Sequence, residues 1–545
     1  MRAPPFPCSA FVRAAASALW LAALVTSPAA LAQAQAQASP GPSATELPAG
    51  FVLTTVVWRG NQALPDEALA ALAAPFVGRR VTLADLEALA AQATQAYRAR
   101  GFFVAQALVP QQEIAAGRVE ISVVEGRLGQ LRVRVAADAP ITEARVRAVL
   151  AALRPGEALH EASYERAMLL LSDLPGLQVQ AGLEPGAEAG NTDLAVEVGA
   201  APKRWQASVD VDNHGSRASG RERASATLRY ASPLGIGDNL DARVMSSFSA
   251  QQTFGRLSYE APLAANGLRG GVGVSRVGYE LGDTYAALGA TGTALVRDAS
   301  FTYPLLRART RNLFMRAAYE SKALHDTTAA VGIDSDKHID AASLSLNWEA
   351  RDTLLGGGYV SAGATASFGR LAIRDALTRA VDQDPVNGHQ TEGRYRKLAL
   401  QASRLQSLFG RHNLYVALAG QWASRNLDAS EKSALGGDRA VRAYPAGELL
   451  VDNGWLATVE WRYSASDDLV LALLFDAARG AQARLPNALD TANRRSLRGP
   501  GLGLSWNAPW GLTLRGSVAW PGAEPATSDG GSAGPRVLVQ VRKAF

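Results

Sequence analysis

Residues 455–463 read Trp-Leu-Ala-Thr-Val-Glu-Trp-Arg-Tyr, and the period of that stretch decides the fold. Trp455, Ala457, Val459, Trp461 and Tyr463 fall on one face of an extended chain. Leu456, Thr458, Glu460 and Arg462 fall on the other, because successive side chains of a strand point to opposite sides. The same alternation sets Trp205, Ala207, Val209 and Val211 against Gln206, Ser208, Asp210 and Asp212. It also sets Leu344, Leu346, Trp348 and Ala350 against Ser345, Asn347 and Glu349. One such strand would suit a soluble sandwich equally well. Many in succession, each near ~10 residues with a frequently charged face and aromatics at the ends, suit a membrane-spanning β-barrel.

This pattern begins at Lys203 and runs to Phe545. At roughly 20 residues per strand and connection, residues 203–545 accommodate about 16 antiparallel strands. A lumen of that size holds polar contents or an aqueous channel. The closing run Val537, Val539, Val541 to Phe545 ends on an aromatic, as expected of a last strand that pairs with the first, with Lys543 where another aromatic would be usual. Beyond the N-terminus no apolar run reaches the ~20 residues of a transmembrane helix.

Ahead of the barrel the periodicity is mixed and occurs twice. Phe51 to Trp58 predicts a strand, Pro65 to Ala73 a short helix, and Thr82 with Asp85 the capping box of a second helix. Leu86, Leu89, Ala90, Ala93 and Tyr97 then share one helical face, Gly101 stops it, and strands follow at Phe103–Leu108 and Val119–Val124. The second unit repeats the order. A strand is predicted at Leu131–Val135, helices from Thr142 and over Tyr164–Leu171, and strands at Leu177–Leu183 and Leu194–Val198. Two α/β modules, 51–126 and 127–200, form an internal repeat.

The first 32 residues carry Arg2 and Arg13, an apolar stretch from Ala14 to Val25 and the small-residue site Ala30-Leu31-Ala32, which together read as a secretory signal. Residues 33–50 (QAQAQASPGPSATELPAG) read as a flexible linker. The single cysteine, Cys8, precedes the cut, so the mature chain is expected to form no disulfide. Cleavage removes two arginines and no acid and lowers the formal charge from +5 to +3. That is too mild for a nucleic-acid partner.

Catalytic candidates are poor, and the chain is expected not to be an enzyme. Its six histidines show no metal-ligand spacing, so no metal and no cofactor are expected. Gly530-Gly531-Ser532-Ala533-Gly534 matches the G-x-S-x-G string of hydrolases, but it lies in a Gly/Ser/Pro-rich loop rather than between a strand and a helix. Glu460 and Arg462 read as solvated wall residues of the lumen rather than an acid–base couple.

Several segments together resemble the transporters of two-partner secretion, the TpsB or ShlB/FhaC/HecB haemolysin secretion/activation family of the Omp85 superfamily. They are Pro110-Gln111-Gln112 with Gly117; Val124-Glu125-Gly126; Asp173-Leu174-Pro175-Gly176; Glu184-Pro185-Gly186 with Thr192-Asp193-Leu194; Asp212-Asn213 with Gly215 and Gly220; and Tyr303-Pro304-Leu305 with Arg307. The most specific is Leu435-Gly436-Gly437 followed by Val441-Arg442-Ala443-Tyr444-Pro445, then Gly454, Glu460 and Phe475-Asp476.

The resemblance implies that the modules are POTRA domains in the periplasm. It implies that the barrel sits in the outer membrane of a Gram-negative cell, and that a large TpsA-type exoprotein, such as an adhesin or haemolysin, is the partner. It also implies that the loop at about 423–453 folds into the lumen, where Arg442 would meet Asp476. Connections longer than ~12–15 residues are usually functional, which agrees. Two departures stand out. Ala443 replaces the family's glycine, which would cost backbone freedom if that position needed positive φ. Residues 33–50 leave little room for the family's N-terminal plug helix, which is expected to be shortened or missing. An Omp85-type assembly factor is the alternative, disfavoured by a module count of two. A passive porin would have no reason for the modules, and an autotransporter would carry its passenger on the same chain.

Overall fold

A computed structural model of the chain describes residues 50–545 except 189, 523, 529, 530, 532 and 533. The expected signal segment, all of the linker but Gly50, any plug helix, and Gly530, Ser532 and Ala533 of the hydrolase-like string lie outside the described residues.

By its internal contacts the chain falls into two compact units. One is made of most of the first module; the other holds the second module, the barrel and two short pieces of the first. In the first module, Thr55–Arg59 pairs in parallel with Arg118–Val124, whose other neighbour is Gln106–Leu108. The apolar face over Leu86, Leu89, Ala90, Ala93 and Tyr97 lies on the helix Leu83–Ala99, and all five side chains are buried. The capping box forms: Thr82 N–H donates to Asp85 Oδ2 at 2.7 Å, and Asp85 N–H donates to Thr82 Oγ1 at 3.3 Å. Those bonds hold the Asp85 carboxyl below the usual carboxylate range.

The single strand expected at Phe51–Trp58 is interrupted. Phe51–Val52 pairs with Arg80–Val81, and Thr55–Arg59 joins the three-stranded sheet. Between them Leu53 is fully buried, and Thr54 N–H donates to Gly117 O at 2.8 Å. A continuous β-type run cannot announce such a change of partner. The strand expected from Phe103 likewise starts only at Gln106, because Ala105 N–H closes a turn on Phe102 O.

The second module places Arg127–Val135 parallel to Asn191–Ala200 and Leu177–Pro185 antiparallel on its far side. Each module thus sets its first strand beside its last and its middle strand outside, which makes the sequence repeat a topological one. Helices Glu143–Val149 and Glu161–Ser172 close the core with Val146, Leu150, Ala167 and Leu171 over Leu194, Val196 and Val198. His160 caps the second helix, accepting from Ala162 N–H at Nδ1.

Sixteen antiparallel strands, from Trp205–Asp212 to Arg536–Ala544, form a closed barrel. Its burial is the reverse of a soluble domain's. Trp205, Val209, Val211, Leu344, Leu346, Trp455 and Trp461 point outward and are exposed, while Asp210 and Asp476 point inward and are buried. An outward apolar face is what lipid requires, and full closure leaves no strand edge in it. The seam pairs Gln540–Ala544 with Ser208–Asp212, and an Arg542–Asp210 ion pair of 2.6 Å crosses it on the inner side. Strand neighbours alternate direction, so the termini and the modules share one end. The long connection between His412–Ala423 and Asn453–Ser464 leaves from the other end.

A candidate site in the lumen loop

The connection between Ala423 and Asn453 returns into the barrel as a small hairpin. Ser433–Ala434 pairs with Leu450–Val451, and Leu435 N–H donates to Leu449 O at 2.9 Å. The glycines at its start have distinct reasons. A Cβ on Gly436 would sit 2.4 Å from Pro445 O, and Gly437 has φ +114°. Ala443 is different: it is not among the residues with positive φ. The strain expected from losing the family's glycine there does not arise, and its methyl group is buried in an apolar cluster. That cluster joins Leu435, Val441, Tyr444, Leu449 and Val451 of the loop to Ala478, Leu497 and Ala519 of the wall.

Arg442 leaves this cluster toward the wall. Its Nε donates to Asp476 Oδ2 and its Nη2 to Asp476 Oδ1, both at 2.8 Å, and its backbone N–H adds a bond of 3.2 Å to Oδ2. Asp476 is fully buried on Leu469–Ala481, where Thr458 Oγ1 of the neighbouring strand also donates to it. The guanidinium reaches a second acid: Nη1 donates to Glu460 Oε1 at 2.7 Å, and Glu460 Oε2 accepts from Arg462. Glu460 is buried, so the reading of Glu460 and Arg462 as solvated wall residues needs correction. Because Thr458 faces Asp476 in the strand register, the inward residue two further along had to lie within reach of Asp476's partner. Of the predicted site residues, the structure brings Val441, Arg442, Ala443 and Tyr444 against the wall. Pro445 contributes its carbonyl to the loop's own turn, accepting from Glu448 N–H.

Four more loop acids are buried, and sequence reading missed them. Glu448 accepts from Arg495 Nη2 at 2.9 Å and from the backbone N–H groups of Thr527 and Ser528. Asp452 accepts from the N–H groups of Leu427 and Arg484. Asp428 meets Lys337 at 3.0 Å. Glu431 lies between Lys322, at 2.5 Å, and Lys397, at 2.8 Å. The available signal was acids embedded among apolar residues of one long loop, since a buried carboxylate needs cations or N–H donors around it. Their partners lie too far along the chain to be guessed.

At the module end, two of the resembling segments meet. Arg307 Nη2 and Nε donate to Asp173 Oδ1 and Oδ2 at 2.7 and 2.8 Å. Arg166 Nη2 donates to Pro304 O at 2.9 Å, and Ser232 Oγ donates to Pro140 O at 3.0 Å. The second module is therefore hydrogen-bonded to the turns that close the barrel's lower end. Among the described residues no group of His, Cys, Asp and Glu is arranged to hold a metal ion.

Comparison with known proteins agrees with this architecture. The haemolysin secretion/activation protein family ShlB/FhaC/HecB matches residues 190–484, and the ShlB-type POTRA domain matches 51–126. The chain is 28% identical over 481 residues to the heme/hemopexin transporter protein HuxB of Haemophilus influenzae, covering 86% of this chain and 84% of HuxB. It is 25% identical over 419 residues to the outer membrane transporter CdiB of Escherichia coli, covering 74% of this chain and 67% of CdiB. The solved structure of CdiB from Escherichia coli superposes with a TM-score of 0.71 at 21% identity, covering 93% of each chain.

Proposed function

The chain belongs to the haemolysin secretion/activation family, and from that premise we propose how this outer-membrane transporter of two-partner secretion, its POTRA region in the periplasm and a large exoprotein as its partner, moves that partner. The domain limits are 51–126 and 127–200 for two POTRA domains and 203–545 for the barrel. The exoprotein arrives unfolded. The middle strand of each module has one unpaired edge (Leu177–Pro185 in the second), and an extended chain adds there as a further strand. Main-chain hydrogen bonding of this kind makes few demands on sequence, which suits a long and varied cargo. The barrel supplies the polar route, and outer-membrane lipid contacts only its apolar outer face.

Loop residues 441–445 hold the route shut, with Arg442 and Asp476 as the lock. The observation that carries this reading is the loop hairpin lying inside a closed barrel with its arginine forked onto a buried wall carboxylate. A guanidinium–carboxylate fork is directional and charge-assisted, so it fixes one loop position instead of several. No catalytic step is needed: folding of the cargo outside the cell prevents its return and supplies the drive.

The test is secretion. The protein is expressed in a Gram-negative host with a large candidate exoprotein from the same genome, and the medium is assayed. Exoprotein in the medium only with the intact transporter, and at least tenfold less with Arg442→Ala, is the expected result. Exoprotein left in the periplasm beside a correctly inserted barrel sinks the reading and favours an assembly factor. Exchanging the charges at 442 and 476 should restore what Arg442→Asp alone removes.

A further inference from the structure

The lumen loop is fastened to the wall at two charged places of opposite polarity. At Arg442 the loop supplies the cation and two wall strands supply carboxylates. At Glu431 the loop supplies the anion, and two wall strands, Arg311–Thr328 and Gly393–Ser407, supply Lys322 and Lys397. Glu431 and Lys322 are both about 95% buried, and Lys397 Nζ also donates to Glu431 O at 3.1 Å. Asp428, which caps the short turn Ala429–Glu431 by accepting from Ser430 N–H, repeats the polarity on Lys337 of the strand between.

The two fastenings differ in what surrounds them. The Arg442 limb adds a fork and five buried apolar loop residues. The Glu431 limb adds one, Leu427, and its cations are lysines, point charges on flexible stems that lack the geometry of a fork. Since each fastening needs the opposite charge from the other, the loop cannot reseat with its limbs exchanged.

We propose that Glu431, with Lys322 and Lys397, is a second lock on the lumen loop and the one that yields first, the Arg442 limb staying seated while the Glu431 limb swings. Glu431 is thus a positioning residue for transport. This rests on the loop-lock reading above, but it is tested by ion conductance without cargo, so its failure is distinguishable from a failure to secrete.

The purified full chain is reconstituted in planar lipid bilayers in KCl. Glu431→Gln, nearly isosteric and uncharged, should raise open time severalfold, and Lys397→Gln should raise it less. The triple exchange Glu431→Lys, Lys322→Glu, Lys397→Glu should return it close to that of the parent. In a Cys8→Ser background, a short bis-thiol crosslinker joining Glu431→Cys to Lys397→Cys should suppress openings. The same crosslinker joining His214→Cys to Asp438→Cys, whose parent side chains lie 3.3 Å apart on the Arg442 limb, should leave them. Parent-like traces from both glutamine variants overturn the lock. Failure of the triple exchange in a folded, heat-modifiable barrel overturns it as well. Suppression by the 214–438 crosslink overturns the order of release.

Discussion

The modules and the barrel use the same alternation of apolar and polar residues to opposite ends. In the second module Leu171, Leu194 and Val196 are hidden and charges such as Glu143 and Arg147 face water. In the barrel Leu344 and Trp461 face outward, and the ion pairs are inside, with Asp476 wholly buried. The lesson is that an ion pair means different things in the two places. On the module surface it is screened and worth little. In the lumen, loss of one partner leaves a charge with neither water nor a counter-ion.

The largest expected effect sharpens this contrast. Arg442→Ala strands Asp476 and Glu460 and should loosen the seated loop by about 3–5 kcal/mol, toward the low end because Thr458 and Arg462 remain as donors. Faster cleavage of the loop by an added protease, in a barrel that still migrates as folded, is the readout. Next, Leu171→Ala should cost the second module about 2–5 kcal/mol, as for other buried leucines. Hydrogen exchange should speed up in Leu177–Pro185 and Asn191–Ala200 and leave the barrel strands protected; spread into the barrel would break the comparison.

Leu344→Arg, on the outward face, should cost about 2–4 kcal/mol at mid-bilayer depth, seen as a lower denaturant midpoint in lipid. A soluble sheet would tolerate that exposed position. Removing the exposed Glu143–Arg147 pair with Arg147→Ala should cost only about 0.3–0.5 kcal/mol, and less in high salt. The smallest effect is at Asp85. Its carboxyl titrates below its unfolded value, so its contribution is present above the unfolded pKa of about 3.9 and fades as pH falls through the lower folded one. Exchange protection at the start of Leu83–Ala99 should weaken below about pH 4 and be insensitive to pH above 5.

Much of this was legible because it is local. The capping box at Thr82 and Asp85 involves residues three apart, the helix face at Leu86–Tyr97 repeats along one segment, and period-two runs mark strands whatever their partners. Arg442 and Asp476 were legible through resemblance, and the side chains meet as that resemblance implied. Glu460 was misjudged because alternation says which face a residue takes and nothing about what fills the space before it. Leu53–Thr54 was misread for a related reason, since strand propensity does not reveal a change of sheet.

The sequence by itself determined the class of every region, the duplication of the modules, the approximate strand count and the loop that departs from the pattern. These follow from periodicities of a few residues, which backbone geometry imposes on any chain. Only the tertiary structure decided which charges meet. Lys322 and Glu431 are 109 positions apart, Arg307 and Asp173 are 134, and the barrel closes Asp210 onto Arg542 across 332. Pairings of that span depend on register and closure summed around sixteen strands, and no local pattern carries that sum.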